Sequence, residues 1–231
     1  YESINEILAK SSSISIGSNG GYGQTKSIFL RGTESNHTKV LINGVDLNPG
    51  TLGVPSIQHI SVDMIESIEI SKGSMSTLYG KDTIGGVINI ITKKNVGNKI
   101  SISTGTHNTK NIVYSGGINY MNHNLSTNIS RLESDSYKAK VTSTKKHAYD
   151  TTNLDFNYVM TIDQYEVSAN YYKSTGNTEY DSFGSNLNQN HRDNHLKLNT
   201  NYTFADSHID LFYIKKTNEI NQAALSATDY T

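Results

Sequence analysis

The segment Asn153-Leu154-Asp155-Phe156-Asn157-Tyr158-Val159-Met160 decides the fold. Leu154, Phe156, Tyr158 and Met160 alternate with Asn153, Asp155 and Asn157. Successive side chains of a strand point to opposite faces, so this strand has one apolar and one polar face. Tyr165, Val167, Ala169 and Tyr171 repeat the pattern against Glu166, Ser168 and Asn170. Leu196, Leu198, Thr200, Tyr202 and Phe204 do so against Lys197, Asn199 and Asn201, and Ile209, Leu211 and Tyr213 follow. Working outward, seven strands are expected, at about 99–105, 110–120, 124–132, 152–161, 164–173, 195–204 and 207–216. The links at Met121–His123, Ile162–Asp163 and Ala205–Asp206 are two or three residues long. Those at Glu133–Thr151 and Ser174–Asn194 approach twenty and are polar. Short turns on one side and long loops on the other suit a membrane-spanning barrel, with Ser174–Asn194 outside and Ala205–Asp206 inside. A soluble β-sandwich also alternates and stays open as a second reading.

Composition narrows the classes. The chain has 231 residues, a formal net charge of -1, 15 Tyr, 18 Gly, 2 Pro, no Trp and no Cys. The charge balance gives no reason to expect nucleic acid as a partner. Without cysteine there is no disulfide framework and no thiolate metal site. No apolar run nears the ~20 residues of a membrane-spanning helix, but barrel strands need none. Tyrosine suits sheets and membrane interfaces, because its ring is apolar and its tip polar.

The grammar changes near Lys93-Lys94-Asn95. Before it, a small α+β domain is expected over residues 1–95, with the β region over 96–231. Ser3 to Ala9 reads as a short helix with Ser3 as N-cap and Glu6 at capping-box spacing. Ile14 and Ile16, Ser27 to Leu30, Val40 to Ile42, Ile65 to Ser71 and Val87 to Thr92 read as strands, with a helical turn at Ser61 to Met64. Asn43-Gly44 between apolar runs signals a tight turn. Ile65, Ile68, Ile70, Val87, Ile88, Ile90 and Ile91 are the expected core.

Three ordered stretches carry a resemblance. One is Asn19-Gly20-Gly21-Tyr22-Gly23-Gln24 running into Ser27-Ile28-Phe29-Leu30-Arg31-Gly32-Thr33. The second is Val40-Leu41-Ile42-Asn43-Gly44-Val45. The third is Ile65-Glu66-Ser67-Ile68-Glu69-Ile70-Ser71-Lys72-Gly73, then Ser76-Thr77-Leu78-Tyr79-Gly80, then Ile84-Gly85-Gly86-Val87-Ile88-Asn89-Ile90-Ile91-Thr92. From Ile4 to Lys94, their order and spacing resemble the plug of TonB-dependent outer-membrane receptors. From Asn19 to Leu47, the vitamin B12 (cobalamin) receptors of that family are most similar. The resemblance implies a plug domain followed by antiparallel transmembrane β-barrel strands, here about 7 of an expected ~22. Seven strands cannot enclose a domain of roughly ninety residues, and an unclosed sheet would leave unpaired edges in lipid. The sequence is therefore expected to be the N-terminal part of a longer chain, with an export signal and the TonB-coupling segment upstream of Tyr1.

The resemblance also implies active uptake of a scarce nutrient, cobalamin first, with a siderophore or haem receptor as the alternative. The implied partners are TonB, the ligand and outer-membrane lipid. Thr25, Ser27, Glu34, Leu52 and Gly53 match the plug positions that meet the ligand. Glu34 stands where the family usually has an amide, and Thr25 where it has an apolar residue. Plug structure or anchoring to the barrel falls to Arg31, Gly32, Glu66, Glu69, Lys72, Gly80, Gly85 and Gly86. The four charges among them also suit ordinary surface ion pairs. Cobalamin receptors bind calcium through acidic external loops, which points here to Asp150 and Asp181, while solvated loop carboxylates suit the same residues. His191 and His195 have metal-like spacing but read as loop, so no metal is assigned to them. His37 and His59 fall in or near plug loops, where haem receptors use histidine. No cofactor beyond that calcium and no catalytic constellation emerges. The remote alternative is a passive binding or adhesion protein.

Overall fold

The computed structural model describes residues 3–49, 53–94, 97–135, 147–182, 185–204 and 207–224. The chain opens with helix α1 (Ile4–Ala9), where the Glu6 carboxylate accepts the Ser3 amide at 2.6 Å in the expected capping box. Strands β1 (Ile14–Ser18) and β2 (Lys26–Leu30) pair as an antiparallel ribbon. Next come β3 (Thr38–Ile42), β4 (Val45–Asp46), β5 (Ile65–Lys72), the short α2 (Ser76–Tyr79) and β6 (Gly86–Thr92). The last four strands form a sheet in the order β4-β3-β6-β5, in which β3 and β6 run parallel. Asn43 (φ 50°) and Gly44 (φ 79°) make the tight turn between β3 and β4. Short 3-10 turns cover Ser35–His37, Ile57–His59 and Val62–Met64; the last of these lies within the expected helical turn.

The core lies between the ribbon and the four-stranded sheet. Ile28, Leu30, Val40, Ile42, Ile57 and Ile90 are fully buried. Of the expected core, Val87, Ile88 and Ile90 are buried, whereas Ile65, Ile68 and Ile70 pack on its rim and Ile91 is half-buried. Position in the sheet explains this: β5 is an edge strand, and β6 lies between two partners. Gly86 sits where the backbones crowd. Its φ is +142°, and a Cβ there would collide with the Ser71 carbonyl and the Leu30 side chain.

The remaining strands form one antiparallel sheet in sequence order: β7 (Lys99–Gly105), β8 (Thr109–Tyr120), β9 (His123–Ser134), β10 (Tyr149–Ile162), β11 (Tyr165–Ser182), β12 (Ser185–Phe204) and β13 (Ser207–Ala224). The alternation located all seven. It failed at Ser174–Asn194, which is no long loop. β11 and β12 stay paired from Tyr165↔Tyr202 through to Ser182↔Ser185. Both faces of the extension are polar, so the pattern faded while the hydrogen-bond ladder continued. The Ala205–Asp206 turn lies outside the described residues.

The sheet is inverted relative to a soluble one. Asn153, Asp155, Ser126, Asn128 and Ser130 are buried against the N-terminal domain at 0–2% exposure. Ile100, Ile102, Ile112 and Leu211 are exposed at 52–71%. A soluble sandwich buries its apolar face, whereas this sheet turns its apolar face outward, as the wall of a barrel of this fold does.

Gly86→Ala is expected to destabilise the plug by about 2–4 kcal/mol, since strain and overlap coincide there. A lower urea midpoint and faster proteolysis of residues 3–94 in the full-length protein check this.

Candidate functional site

The seam between the plug and the sheet is built from hydrogen bonds. At its centre is Asp155 on β10, with 0% exposure. The Asn157 and Asn128 side-chain amides donate to one carboxylate oxygen at 2.7 and 3.1 Å. Those of Asn170 and Asn43 donate to the other at 3.1 and 3.3 Å. Three of these amides come from β9, β10 and β11, and the fourth from the β3–β4 turn of the plug. Asn43 is held in turn by Thr92, whose amide donates to the Asn43 side-chain oxygen at 3.0 Å. A buried carboxylate needs partners to remain there, and four amides share that task. Around it, Asn111 donates to Asp63 at 2.9 Å, Asn128 to the Lys93 carbonyl at 2.8 Å, and Lys216 to the Asn48 carbonyl at 2.7 Å.

Further along β10, four rings stack in a column that alternates between plug and wall. Tyr22 of the glycine-rich loop lies 6.3 Å from Tyr149 of β10, at an interplanar angle of 10°. Tyr149 lies 6.0 Å from His59, and His59 lies 3.6 Å from His191 of β12. Gly176 of β11 makes this possible. It pairs with both Thr151 and His191, and a Cβ there would lie 2.8 Å from the His191 ring. The His191–His195 spacing acts as strand spacing, placing both rings on the plug side. His195 stacks on buried Tyr172 at 4.9 Å. Burial, and secondarily His191, hold His59 well below the ordinary histidine range.

Beside the column lies a cavity of about 330 Å³, whose walls include Ser3, Glu6, Tyr22, Lys26, His59 and Tyr149. The Lys26 amine donates to Ser18 Oγ and, at 2.6 Å, to the Gly20 carbonyl, which closes the glycine loop. Burial lowers its pKa, opposed by nearby Glu6.

The residues singled out from sequence fall elsewhere. Ser35 Oγ accepts the Ile28 amide at 2.9 Å, which ties the turn following Glu34 to the strand that carries Ser27. Gly53 backs onto Asn36, and its carbonyl accepts from Asn48 at 2.7 Å. Ser27, Glu34 and Gly53 thus share one region of the plug, with Thr25 exposed just before β2. Leu52 lies outside the described residues. Arg31, Glu66, Glu69 and Lys72 are exposed, and among the described residues none bonds to the seven-stranded sheet. Anchoring to these strands instead uses other groups, in which a charged partner such as Asp155, Asp63 or Lys216 meets an amide or a carbonyl. Among the described residues the Glu69 carboxylate accepts from Asn89, at 3.2 Å. Gly32 follows Arg31 at the end of β2, Gly80 ends α2, and Gly85 packs against Thr33 and the His37 carbonyl. Asp150 and Asp181 are strand residues, not loop residues. They pair with Asn177 and Asn186 and do not meet. Among the described residues no three His, Asp or Glu side chains gather as metal ligands.

Comparison with known proteins agrees with this geometry. Residues 1–87 match the family described as the TonB-dependent Receptor Plug Domain. The ferric preacinetobactin receptor of Acinetobacter baumannii superposes with a TM-score of 0.73 at 15% identity, over 98% of this chain and 37% of that one. A copper transporter gives 0.73 at 15% identity, over 94% and 35%. The ferric enterobactin receptor of Pseudomonas aeruginosa gives 0.70 at 14% identity, over 95% and 38%. The chain therefore spans somewhat over a third of the length of these structures and shares their fold: a plug followed by barrel strands.

Asp155→Ala would strand four amides and weaken docking of the plug by about 3–5 kcal/mol, whereas Asn43→Ala should cost about 1–2 kcal/mol. Urea-induced exposure of the plug to protease measures both. Docking should also depend on acid. The docked His59 resists protonation, so the released state binds more protons as pH falls through ~6.5. Docking is at full strength above that value and weakens below it. His59→Phe should reduce the slope.

Proposed function

We propose that this chain is the N-terminal part of a TonB-dependent outer-membrane receptor that takes up a scarce nutrient, cobalamin in the first place. The observation that carries the proposal is the inverted sheet closed over a domain of the plug family. Lipid accounts for its apolar outer face, and the plug for its polar inner one. Edge strands β7 and β13 have one neighbour each, which lipid does not tolerate. About fifteen further strands complete the wall of such a receptor.

The seam suits a plug that must move. Hydrogen bonds can be exchanged for bonds to water at small net cost, roughly 1 kcal/mol each, whereas an apolar interface cannot. TonB, pulling from the inner side, would thus open a path by wetting the seam. The ligand would rest on the region of Thr25, Ser27, Glu34 and Gly53, beneath the external ends of the strands. The resemblance of Asn19–Leu47 to cobalamin receptors supports that ligand. The solved structures with the same fold include receptors for ferric chelates, which keeps an iron chelate as the alternative.

Calorimetry on the full-length receptor decides between them. Cyanocobalamin is expected to bind with sub-micromolar affinity, with Ser27→Trp and Gly53→Trp weakening it by about tenfold or more. Binding of a ferric catecholate or haem alone would establish the alternative, and binding of none of the three would sink the uptake reading.

A further inference from the structure

The plug does not meet its wall evenly. On β10, β12 and β13 the inward side chains are large and reach it. Tyr149 and His191 stack on plug rings, Asp155 accepts from Asn43, and Lys197 and Lys216 donate to the carbonyls of Asn43 and Asn48. On β7 to β9 short inward side chains prevail: Ser101, Ser103, Gly105, Thr109, Ser126 and Ser130. The plug is held there by longer neighbours at single points. Asn111 of β8 donates to Asp63 at 2.9 Å, Asn128 of β9 to the Lys93 carbonyl at 2.8 Å, and Ser130 Oγ lies 3.5 Å from Met64 Sδ. Among the described residues β7 bonds to no plug residue, and the whole strand is exposed. The gap left by these short side chains is a cavity of about 620 Å³ between Tyr22, Val62 and Asp63 of the plug and Ser101, Ser103 and Thr109 of the wall. Tyr22 and Val62 also line the cavity of about 330 Å³ that reaches Ser134 and Tyr149, so the two adjoin. Together they make one cleft, lined largely by hydroxyls, from the far ends of β9 and β10 down to Ser101 on β7.

We propose that this cleft is the passage by which a polar, hydrogen-bonding nutrient crosses, and that it widens when the plug turns about its attachments to β10, β12 and β13. The proposal rests on the uptake reading above. The two sides of the plug differ in what parting them requires. Parting Asp63 from Asn111 leaves a carboxylate and an amide beside an existing cavity, where water satisfies both. Parting Asn43 from Asp155 opens a fully buried carboxylate cluster, and parting His59 from His191 separates rings 3.6 Å apart. The β7–β8 side therefore yields first, and the β10 side serves as the hinge. The lining suits the traffic: the hydroxyls of Ser101, Ser103 and Thr109 both donate and accept, so they can replace the hydration water of a polar solute without fixing it in one pose.

The test uses the full-length receptor in energised cells, with radiolabelled cyanocobalamin, or with a ferric catecholate where calorimetry selects that ligand. Wild-type receptor that accumulates neither overturns the uptake reading itself. With uptake established, a short bis-methanethiosulfonate reagent bridges D63C/N111C on the cleft side or H59C/H191C on the hinge side, and a reducing agent removes the bridge. Bridged D63C/N111C should bind ligand as its reduced form does, lose about tenfold or more in uptake rate, and regain it on reduction. M64C/S130C places the same lock one strand away and replaces that pair if its reduced form does not reach the membrane. Bridged H59C/H191C should stay within about twofold of its reduced form. Unimpaired uptake with the cleft side bridged, or an equal loss with the hinge side bridged, overturns the proposal.

Discussion

A sheet that buries its polar face and exposes its apolar one constrains everything else in this molecule. The two faces of β8 to β13 make opposite demands on their surroundings. An apolar row such as Ile112, Ile129 and Phe156 faces outward, and a buried row such as Asn128, Asn153 and Asp155 calls for hydrogen-bond partners on the inside. The N-terminal domain supplies those partners. Its own core, around Ile28, Val40 and Ile90, is conventional and apolar, which lets its surface meet the wall through amides and carbonyls. The two halves are thus folded by opposite rules and joined by a seam that belongs to neither core.

Much of this was legible in sequence, for identifiable reasons. Asn43-Gly44, the Ser3–Glu6 box and the strand at Ile65 each depend on neighbours within a few residues, and local chemistry specifies them. The alternation through Leu154 to Met160 was readable because an outward face and a face packed on the plug impose opposite demands on alternate residues. Beyond Lys173 both faces become polar, and the period-2 signal vanishes although the strand does not. His191 and His195 fell into that gap. Four residues apart on a strand, they share a face, and continuing the even-numbered inward series through Tyr172 and Ser174 would have revealed the ladder to which they belong.

The site residues were less legible, because the partners that define them are far away in sequence. Nothing near Asp155 marks it as the meeting point of Asn43, Asn128 and Asn170; only the register of three strands and one turn brings them together. The charges at Arg31, Glu66, Glu69 and Lys72 drew attention by type, yet the seam against the described strands uses Asn43, Asp63 and the carbonyls of Asn48 and Lys93 on the plug side. Gly176 carried no turn signal, and its role is spatial: it leaves room for the His191 ring.

Two of the attachments of the plug share one strand. Tyr149 holds the ring column and Asp155 the amide cluster, six residues apart on β10, or about 20 Å along it. A plug sliding as a rigid body along β10 must break both together, because neither can re-form one step further along: the next inward residues are Thr151, Asn153 and Asn157, without a second carboxylate or ring. Asn43 and His59, which make two of the plug's contacts with β10, are separated by the segment running through β4 and Gly53. Releasing these two one at a time therefore requires that segment to change shape, so the stretch that carries Gly53 and the grip of the plug on β10 are mechanically coupled.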